Sequence, residues 1–498
     1  MPVAGARCIR EGQCPVGGKW IRSCHGTPMS KGITLSTTRS VCPECLAVTP
    51  AIRIMRGDRV FLSKTCPRHG TFETEVWQGQ PSYQSWNRPK TCASPDPPAT
   101  RTEQGCPKDC GLCPDHRQQT CTALIEVTHR CDLSCAYCYA DSGTADFPDP
   151  DLYALRCMFE RLLRAGNRCN IQLSGGEPTI REDLPDIIAL GRSLGFSFIQ
   201  VNTNGMRLAG DPSYARQLRD AGLASVFLQF DGMEDSVYER IRGRRLLREK
   251  KRAVEHCGVN GLGVVLVPTL VPGANVAQIG KIIQYAVENL GVVRGVHFQP
   301  VSYFGRYPGP PRAEDRITIP EIIREIAAQT SGKMAIEHFK PPGCENAYCS
   351  FNGSFVLLPD GSLKSRATQR TGSCCPEMEC AEEGAARARR FVARFWSAPE
   401  SLSSAPAVWP GLGEWEAFLE RVKSHSLSIS GMAFQDAWNL DLERLRDCCI
   451  HVVTRDGRLV PFCAYNLTDA GGTSIHRERT RAPLSDDDVR PSPPGPHS

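Results

Sequence analysis

Long apolar runs and a strong charge of either sign are both missing from this sequence. The formal net charge is only +5 over 498 residues. A charge this small leaves no electrostatic signature for nucleic acid, which normally requires a clearly basic domain or patch. No apolar run reaches the roughly 18 residues that cross a bilayer, so we predict no transmembrane helix. The first residues also lack the apolar centre of a secretory signal, so we expect a cytoplasmic protein.

What the chain does contain is cysteine, at 25 of its positions. In a secreted chain such a number would indicate disulfides. Here many cysteines stand two or three residues apart, which is a spacing typical of metal sites. An odd total also fits poorly with complete internal disulfide pairing. We therefore expect several metal centres and a reducing, low-oxygen cytoplasm.

The most informative cysteines are Cys131, Cys135 and Cys138, which closely follow the apolar run at 123–128. Thiolates at this spacing can wrap one corner of an iron–sulfur cube. A closed cluster or a structural zinc site normally has four protein ligands. Three ligands in one loop leave one iron open to a substrate or cosubstrate. A zinc loop or three buried thiols is the alternative, and it fits the downstream residues less well.

Downstream of this loop, short β-branched apolar runs alternate with helical segments. Strands are predicted at 123–129, 170–174, 198–203, 225–230, 263–271 and 294–301. Helices are predicted near 150–165, 183–194, 212–222, 235–257 and 276–289. Repeated βα units predict an α/β fold with a parallel sheet and helices outside it. Six units make an open partial (β/α)6 barrel, in which the chemistry lies at the carboxyl ends of the strands.

Glycines and polar residues stand where these strands end. The side chains and turns concerned are Gly175, Gly176, Glu177, Asn202, Asn204, Gln229 and Asp231. Glycines allow a backbone to approach a ligand closely, and the polar side chains can reach ligand hydroxyl, ammonium or carboxylate groups. Capping of a turn by Asn or Asp before Gly explains each polar residue equally well when it is taken singly. Thr269, His297 and Gln299 are candidates to face a substrate, and His297 fits a core position equally well.

Two further cysteine groups precede the barrel. In the first, two knuckles flank a predicted β-hairpin, which includes the strand-like segment at 51–60, and supply Cys42, Cys45, Cys66 and His69. This plan predicts a zinc ribbon with a Cys3His site, with a rubredoxin-like iron as the alternative metal and another cysteine as the alternative to His69. The second group follows a proline-rich linker at 88–104 and consists of Cys106, Cys110, Cys113 and Cys121. Those four predict a fully liganded auxiliary [4Fe–4S] cluster, with zinc as the alternative.

Cysteines return behind the barrel at positions that match no single motif. They are Cys344, Cys349, Cys374, Cys375, Cys380, Cys448, Cys449 and Cys463. We predict a further metal centre gathered from separated segments, with Cys344 and Cys349 among its ligands. A redox-active or substrate-linking thiol in one of the vicinal pairs is the alternative. Helices are expected at 318–330, 381–397 and near 412–424, and hairpins around Asp360–Gly361 and Asp456–Gly457.

These features divide the sequence into six predicted segments. They are a flexible leader (1–35), the metal module (36–90), a linker with the auxiliary cluster segment (91–121), the barrel (122–305), a Cys-rich C-terminal domain (306–468) and a disordered tail (469–498).

The C-x3-C-x2-C loop, together with the Gly-Gly-Glu-Pro stretch at 175–178, resembles the radical SAM superfamily. This resemblance implies that Cys131, Cys135 and Cys138 hold a reducible [4Fe–4S] cluster whose open iron chelates S-adenosylmethionine. It implies that one electron, from a flavodoxin or ferredoxin, then yields a 5'-deoxyadenosyl radical. It also implies the cofactor contacts: the methionine at Gly175, Gly176 and Glu177, the adenine near Tyr137, and the ribose or methionine carboxylate at Asn204 and Asp231, with Asn202 and Gln229 behind.

The metal module, the phrase at 105–113 and the cysteine loop, in that order, resemble the dihydro-hydroxymethylpterin dimethyltransferase and tetraether lipid synthase group. The part from 301 to 466 resembles bacterial proteins called radical SAM (seleno)protein TrsS. One departure is Ala136-Tyr137, where the group usually has Pro-Val or Pro-Ile. The group implies a transferase-like enzyme that methylates, or forms C–C or C–S bonds at, an unactivated carbon of a small-molecule or lipid substrate. A peptide-modifying maturase and a non-enzymatic electron carrier are the alternatives.

Overall fold

A small antiparallel sheet opens the part of the chain that the computed structural model describes, which is residues 32–88, 90–91, 94–95, 98–143, 148–166, 168–366, 379–398 and 421–477. Its strands pair in sequence order: β1 (Ile33–Val41), β2 (Val48–Arg56), β3 (Arg59–Cys66) and β4 (Gly70–Gln78). The β-hairpin expected between the two knuckles is confirmed as β2–β3, and a turn at Gly57, whose φ of 64° suits glycine, divides the strand-like segment at 51–60. Strand β1 also begins inside the segment expected to be a leader, and residues 1–31 lie outside the described part.

The predicted barrel strands form one continuous parallel run. In chain order after the two-residue strand β5 (Lys90–Thr91), they are β6 (Thr122–Thr128), β7 (Asn170–Gly175), β8 (Ile199–Thr203), β9 (Ser225–Gln229), β10 (Gly263–Val267), β11 (Thr269–Leu270) and β12 (Val293–Pro300). All neighbouring pairs from β6 to β12 are parallel. The six predicted strands are confirmed, with the fifth interrupted between β10 and β11.

Helices cover the outside of this sheet. They are α1 (Leu152–Arg164), α2 (Leu184–Ser193), α3 (Met206–Gly210), α4 (Pro212–Asp220), α5 (Asp235–Arg242), α6 (Leu247–Val259) and α7 (Ile279–Glu288). Helix α1 begins where Asp151 accepts the amide of Ala154, and it buries Leu155, Phe159 and Leu162 at helical spacing. The single helix expected at 235–257 is two helices, because Gly243 adopts a left-handed conformation that ends α5.

The region after the barrel adds strands to both edges of the same sheet. Its elements are α8 (Ile319–Gln329), β13 (Ser350–Leu357), β14 (Leu363–Ser365), β15 (Glu379–Cys380), α9 (Ala381–Trp396), β16 (Ser426–Met432), α10 (Leu442–Arg446), β17 (Ile450–Val453), β18 (Leu459–Pro461) and α11 (Phe462–Tyr465). Strand β16 pairs in parallel with β12, and β17 pairs in parallel with β6. Both predicted hairpins are confirmed as β13–β14 and β17–β18. The domain boundary near 305 remains a prediction, but these strands continue the barrel sheet across it.

Helix α9 lies across the amino-terminal ends of the barrel strands. Its Trp396 stacks on Phe227 of β9 at 5.7 Å between ring centroids. At its middle, the Asn170 amide at the start of β7 donates to the backbone carbonyl of Arg389 over 3.4 Å. Gly263 at the start of β10 allows the chain to pass, because a Cβ there would lie 2.7 Å from the carbonyl oxygen of Trp396. Helix α9 therefore covers this mouth of the barrel. The sequence predicted this helix but not where it packs.

The start of the segment expected to be a disordered tail is ordered. Arg477 forms an ion pair with Glu126 of β6 at 2.8 Å, and the two side chains are only 3% and 8% exposed. Residues 469–477 therefore belong to the fold, because a buried ion pair ties their end to a barrel strand. Residues after 477, and most of the helix expected near 412–424, lie outside the described part. Among the described residues, no helix combines the length and apolar character needed to cross a membrane.

Candidate active site

A cavity of about 490 Å³ lies inside the barrel and reaches both ends of its strands. At the carboxyl ends it is lined by Cys131, Cys135, Tyr137, Cys138, Gly175, Gly176, Glu177, Asn202, Asn204 and Gln229. At the amino ends it is lined by Cys121, Asn170, Cys344, Glu345 and Cys449, and by residues of α9. Because the central strands are all parallel, these two sets face each other along the length of the barrel. Most of the predicted cofactor-binding residues therefore share one cavity.

The loop of three cysteines is held by a segment that sequence analysis did not assign to the site. The backbone of Arg306 pairs with Cys138 through two N–H···O bonds of 2.9 Å. Its side-chain Nε donates to the Cys135 carbonyl over 2.9 Å. Gly305, at φ 65°, has no room for a Cβ, which would overlap the carbonyl oxygens of the loop. No local signal in the sequence marks Arg306, because its partners lie far away in the chain.

The sulfur atoms of this loop lie in a low-dielectric surrounding. Burial raises the pKa of the Cys131 thiol to about 12. Burial also raises the pKa of Cys135, while the nearby guanidinium of Arg242 opposes that rise. The backbone N–H of Ser142 points at Cys138 Sγ over 3.5 Å, which suits an anionic sulfur. A metal centre would replace the thiol protons, so three sulfurs from one partly buried loop fit an iron–sulfur cluster.

The glycines at the end of β7 serve the cysteine loop directly. A Cβ on Gly175, where φ is 118°, would overlap the carbonyl oxygen of Thr128, and one on Gly176 would overlap that of Arg130. The Gly176 amide also donates to Thr128 O over 2.8 Å. We predicted that these glycines allow close approach of a ligand. The close approach seen in the structure is that of the neighbouring loop, which the glycines help to position.

Glu177 connects two strand ends from a buried position. Its Oε1 accepts hydrogen bonds from the Thr179 amide (3.0 Å) and from Thr203 Oγ1 (2.7 Å), and its Oε2 accepts the Asn204 amide (2.6 Å). Burial raises the pKa of Glu177, and these donors oppose that rise. The carboxylate lines the cavity, but most of its capacity to accept hydrogen bonds is used within the chain. These hydrogen bonds position the two strand ends, and the predicted ammonium contact of Glu177 stays a prediction.

The amides at the next strand ends do face the cavity. Asn204 Nδ2 donates to Asp132 in the cysteine loop over 2.6 Å, and Asn202 Nδ2 donates to Ser174 Oγ over 3.2 Å. Gln229 Oε1 accepts a hydrogen bond from the buried Lys250 over 3.3 Å. These side chains are therefore held in place by the chain and still line the space beside the cysteine loop. Lys250 is a residue that sequence analysis missed.

Asp231 lies behind the cavity wall. Its side chain is fully buried and forms a bidentate pair with Arg242, at 2.7 and 2.8 Å. It also accepts the Thr269 amide over 3.0 Å. Asp231 does not line the cavity, whereas Arg242 does. Arg242 in turn reaches the cysteine loop, where its Nη1 donates to the Tyr137 carbonyl over 3.2 Å. A contact of Asp231 with the cosubstrate stays a prediction.

In the amino-terminal module, the structure brings the four predicted ligands together. The ligand atoms of Cys42, Cys45, Cys66 and His69 all lie within 4.8 Å of one another. His69 Nδ1 is 3.4 Å from Cys42 Sγ and 3.6 Å from Cys66 Sγ. Hydrogen bonds from the Arg68 and His69 backbone lower the pKa of Cys66 to about 6, which favours the thiolate that a metal binds. This donor set fits a tetrahedral metal ion.

Comparisons with known proteins agree with this geometry. Residues 125–286 match the radical SAM superfamily, and residues 34–78 match the HMPTM N-terminal zinc ribbon domain. The 7,8-dihydro-6-hydroxymethylpterin dimethyltransferase of Methanocaldococcus jannaschii is 34% identical over 491 aligned residues, which cover 90% of this chain and 95% of the relative. The chain belongs to the family of this radical SAM enzyme. It is therefore an enzyme, and the electron-carrier alternative is wrong.

Two further proteins match smaller parts of the chain. A probable GTP 3',8-cyclase of Methanothermobacter marburgensis is 27% identical over 270 residues, or 50% of this chain and 85% of that protein. The crystal structure of methylornithine synthase (PylB) covers 60% of this chain and 86% of its own, with 13% identity and a TM-score of 0.37. The predicted likeness of the C-terminal part to TrsS remains a prediction.

Within this radical SAM fold, the predicted group of four auxiliary cysteines is divided. Cys106, Cys110 and Cys113 line one small pocket together with His116. The pKa of Cys110 is raised, chiefly by a hydrogen bond with Cys106 and secondly by burial. Cys121 instead lies beside the barrel mouth with Cys344 and Cys449. The division arises because Cys121 directly precedes β6, so the amino-terminal end of that strand fixes its position at the barrel.

The cysteines behind the barrel are also distributed differently from the prediction. Cys344 belongs to the group at the barrel mouth, whereas Cys349 faces Arg444, whose Nη2 lies 3.5 Å from its sulfur. Cys380 stands at the start of α9, and Cys374 and Cys375 lie outside the described residues. The expectation that Cys344 and Cys349 share one centre is therefore corrected. No spacing rule could have found the actual group, because its members come from three distant segments.

The remaining candidates at the cavity wall are His297 and Gln299. Both line the cavity, as does Thr269. His297 Nδ1 lies 2.8 Å from Ser430 Oγ, and burial lowers the pKa of His297 to about 4. The imidazole is therefore neutral at physiological pH. It contacts the aromatic rings of Phe227 and Trp396, so it is at once a packed residue and part of the cavity wall.

Proposed function

We propose that this enzyme reductively cleaves S-adenosylmethionine at a [4Fe–4S] cluster held by Cys131, Cys135 and Cys138, and that the resulting 5'-deoxyadenosyl radical acts on an unactivated carbon of its substrate. The observation that carries the proposal is the position of the cysteine loop, which opens into the barrel cavity. When bound, the cluster would supply the single electron that splits the cosubstrate into methionine and the radical. A flavodoxin or ferredoxin would supply that electron in the cell.

The chain itself would bind the cosubstrate and exclude water. We propose that Asn202, Asn204 and Gln229 contact its ribose and carboxylate groups, because their amides line the cavity beside the cysteine loop. Tyr137, which lines the same end, would pack against the adenine. Gly175, Gly176 and Glu177 would act mainly by fixing the loops, as their internal contacts indicate. Asp231 would act indirectly, by holding the side chain of Arg242, which lines the cavity.

We propose a small polar heterocycle, rather than a lipid, as the substrate. The cavity wall carries several amides and one imidazole from the barrel strands: Gln172, Gln200, Gln229, His297 and Gln299. Gln229 and His297 each use one polar atom on Lys250 or Ser430, and a lipid chain would leave their other polar atoms without partners, which costs free energy when those atoms are buried. A ring with donors and acceptors on its edges would satisfy them, and Phe227 offers a face for stacking. Methylation of a pterin, the reaction in the relative's name, fits such a wall. It needs a methyl donor besides the S-adenosylmethionine molecule that is cleaved to methionine and 5'-deoxyadenosine.

We further propose two metal centres outside the active site. Cys42, Cys45, Cys66 and His69 would bind zinc or a single iron, because their four ligand atoms converge. Cys106, Cys110 and Cys113 would hold an auxiliary [4Fe–4S] cluster, because they line a common buried pocket close to the cysteine loop in sequence.

The test is a product assay on anaerobically reconstituted protein. With dithionite and S-adenosylmethionine, we expect 5'-deoxyadenosine and methionine in equal amounts. A Cys135→Ala variant should make neither, while Cys257→Ala, which removes a buried cysteine of α6 far from the loop residues in sequence, should keep the activity. Deuterated 7,8-dihydro-6-hydroxymethylpterin should transfer deuterium to 5'-deoxyadenosine if the pterin is the substrate. Absence of 5'-deoxyadenosine from the fully loaded parent protein would refute the proposed reaction.

A further inference from the structure

The cavity is lined by three arginines at the end that lies opposite the cysteine loop. Arg387 and Arg389 belong to α9, and Arg88 belongs to the segment that follows β4. Strand β5 pairs in parallel with β15, directly before α9, and this pairing brings the segment of Arg88 next to the helix. The Nη1 atom of Arg88 lies 3.5 Å from the Pro341 carbonyl, beside the segment that leads to Cys344. Three cationic side chains therefore line one mouth of the barrel.

The arginines outnumber the carboxylates at this mouth. Among the described residues that line it, Glu345 is the one carboxylate. Glu345 accepts a hydrogen bond from Ser350 Oγ, and its other oxygen lies 3.7 Å from the thiol sulfur of Cys449. Glu382 and Glu383, in the first turn of α9, do not line the cavity. Because walls of low dielectric concentrate the field inside a cleft, this end of the cavity favours an anion.

Arg387 interrupts a face of α9 that is otherwise small and apolar. The residues of α9 that line the cavity at helical spacing are Gly384, Arg387, Ala388, Phe391 and Val392. A helix normally turns an apolar face inward, and a charged residue within such a face indicates a function. Arg389 donates from Nη1 to the Thr120 carbonyl over 3.4 Å and forms no ion pair with any described residue. Most of its N–H donors can therefore serve a ligand.

We propose that Arg88, Arg387 and Arg389 bind a phosphate group of the substrate, so that the substrate is a heterocycle with a phosphate ester. Guanidinium groups form paired hydrogen bonds with phosphate oxygens. A phosphate monoester carries between about 1.5 and 2 negative charges at neutral pH, which suits three arginines better than the single charge of a carboxylate does. The inference rests on the proposed function, because that function places the heterocycle in this cavity.

A phosphorylated substrate also matches the length of the cavity. Strand β6 connects the two ends, and its 7 residues span about 23 Å at about 3.3 Å per residue. A two-ring heterocycle beside Phe227 and His297 would fill only the middle of that length. A phosphate on a side group of the ring would reach the arginines, while the opposite edge of the ring would face the cysteine loop. The phosphate would thereby fix which carbon meets the radical.

Binding of two probes to the metal-loaded protein tests the site without turnover. The probes are 7,8-dihydro-6-hydroxymethylpterin and the phosphate monoester of its hydroxymethyl group, added with S-adenosylmethionine and without a reductant. We expect the parent to bind the ester about 100-fold more tightly, and inorganic phosphate to compete with the ester. Arg387→Gln and Arg389→Gln should each reduce this preference about tenfold, as loss of a charge-assisted hydrogen bond does, and should leave the affinity for the free pterin unchanged.

Arg390→Gln is the matched control. Arg390 lies on the same helix, but it is exposed and does not line the cavity, so its replacement should keep the parent's preference for the ester. Circular dichroism checks the fold of each variant. The competition by inorganic phosphate uses the parent alone, so it tests the site even if a variant does not fold.

Four results would overturn the inference. They are equal binding of the two probes by the parent, equal weakening of both probes in the arginine variants, tighter binding of a 6-carboxylate than of the ester, and loss of metal from the variants with an unchanged preference. The last result would mean that the arginines offset the charge of the nearby cysteine sulfurs. The proposed function fails separately. A parent that prefers the ester but forms no 5'-deoxyadenosine would refute the reaction and leave the phosphate site standing.

Discussion

Replacing Asp231 by asparagine removes the charge that faces Arg242 at the base of the active site. The two side chains are 0% and 4% exposed and form two hydrogen bonds, so water cannot compensate the guanidinium that remains. Breaking a buried ion pair by removing one partner costs about 3–5 kcal/mol. Arg242 keeps two neutral acceptors, the Thr269 hydroxyl at 3.0 Å and the Tyr137 carbonyl at 3.2 Å. We therefore expect the lower end of that range, about 3 kcal/mol.

Urea unfolding of the metal-free protein, followed by circular dichroism, measures this cost without interference from cluster loss. Asp231→Asn and Arg242→Gln should each lower the unfolding midpoint. The double variant should lose less stability than the sum of the two, because neither charge is then left unpaired. Asp220→Asn is the matched control. Its carboxylate pairs with Arg219 at 2.7 Å, but the two side chains are 60% and 45% exposed, so the change should stay below about 1 kcal/mol.

Two results would contradict this account. One is an Asp231→Asn protein with the parent's urea midpoint. The other is additive losses in the double variant. If the midpoint is unchanged while S-adenosylmethionine binds more weakly to the reconstituted variant, then Asp231 contacts the cosubstrate itself, as the sequence predicted.

Three shorter predictions address other parts of the fold. Gly176→Ala should destabilise the protein by about 1–3 kcal/mol, as overpacking by one methyl group does, and should lower its iron content. Gly210→Ala should do neither, because a Cβ at Gly210 meets no atom within 4 Å. Cys66→Ser should remove one metal ion per chain, measured by elemental analysis, and leave the iron–sulfur signals intact. Burial by itself raises the pKa of Glu126, but Arg477 outweighs it and holds the pKa below its usual value. The pair should therefore stabilise the fold above pH of about 4.3 and lose that effect as pH falls through the lower folded pKa, so a Glu126→Gln/Arg477→Gln protein should show a flatter dependence of urea midpoint on acid pH.

The barrel could be predicted from sequence because its signals are local. Each predicted strand is a short apolar, β-branched run, and the observed strands agree to within a residue or two, as β7 at Asn170–Gly175 shows. The prediction of one continuous helix at 235–257 was wrong, because Gly243 adopts a left-handed conformation that ends α5. Strands β16 and β17 were not assigned to the barrel, because their partners are β12 and β6, far earlier in the chain. Pairing over such separations leaves no periodic pattern in the sequence.

The site divides in the same way. The cysteine loop and the glycines of β7 follow fixed short motifs, so their position could be predicted. The contacts of Glu177 and Asp231 could not be predicted, because they depend on which donors the fold places around each carboxylate. Glu177 faces amides of the next strand end, and Asp231 faces Arg242. A polar residue at a strand end therefore indicates where the site lies, but it does not indicate which group that residue contacts.

Helix α9 closes the barrel at the end of the cavity opposite the cysteine loop. A carbon radical reacts with whatever reaches it, so a radical enzyme gains from excluding water and oxidants during turnover. In an open barrel the amino-terminal mouth would admit solvent between the strands. Here Trp396 of α9 stacks on Phe227 inside that mouth, and Ala385 of the same helix contacts Cys121. The helix thus contacts both the cavity wall and a cysteine at the mouth. A radical formed at the carboxyl ends of the strands would therefore be shielded from solvent at the opposite end of the cavity.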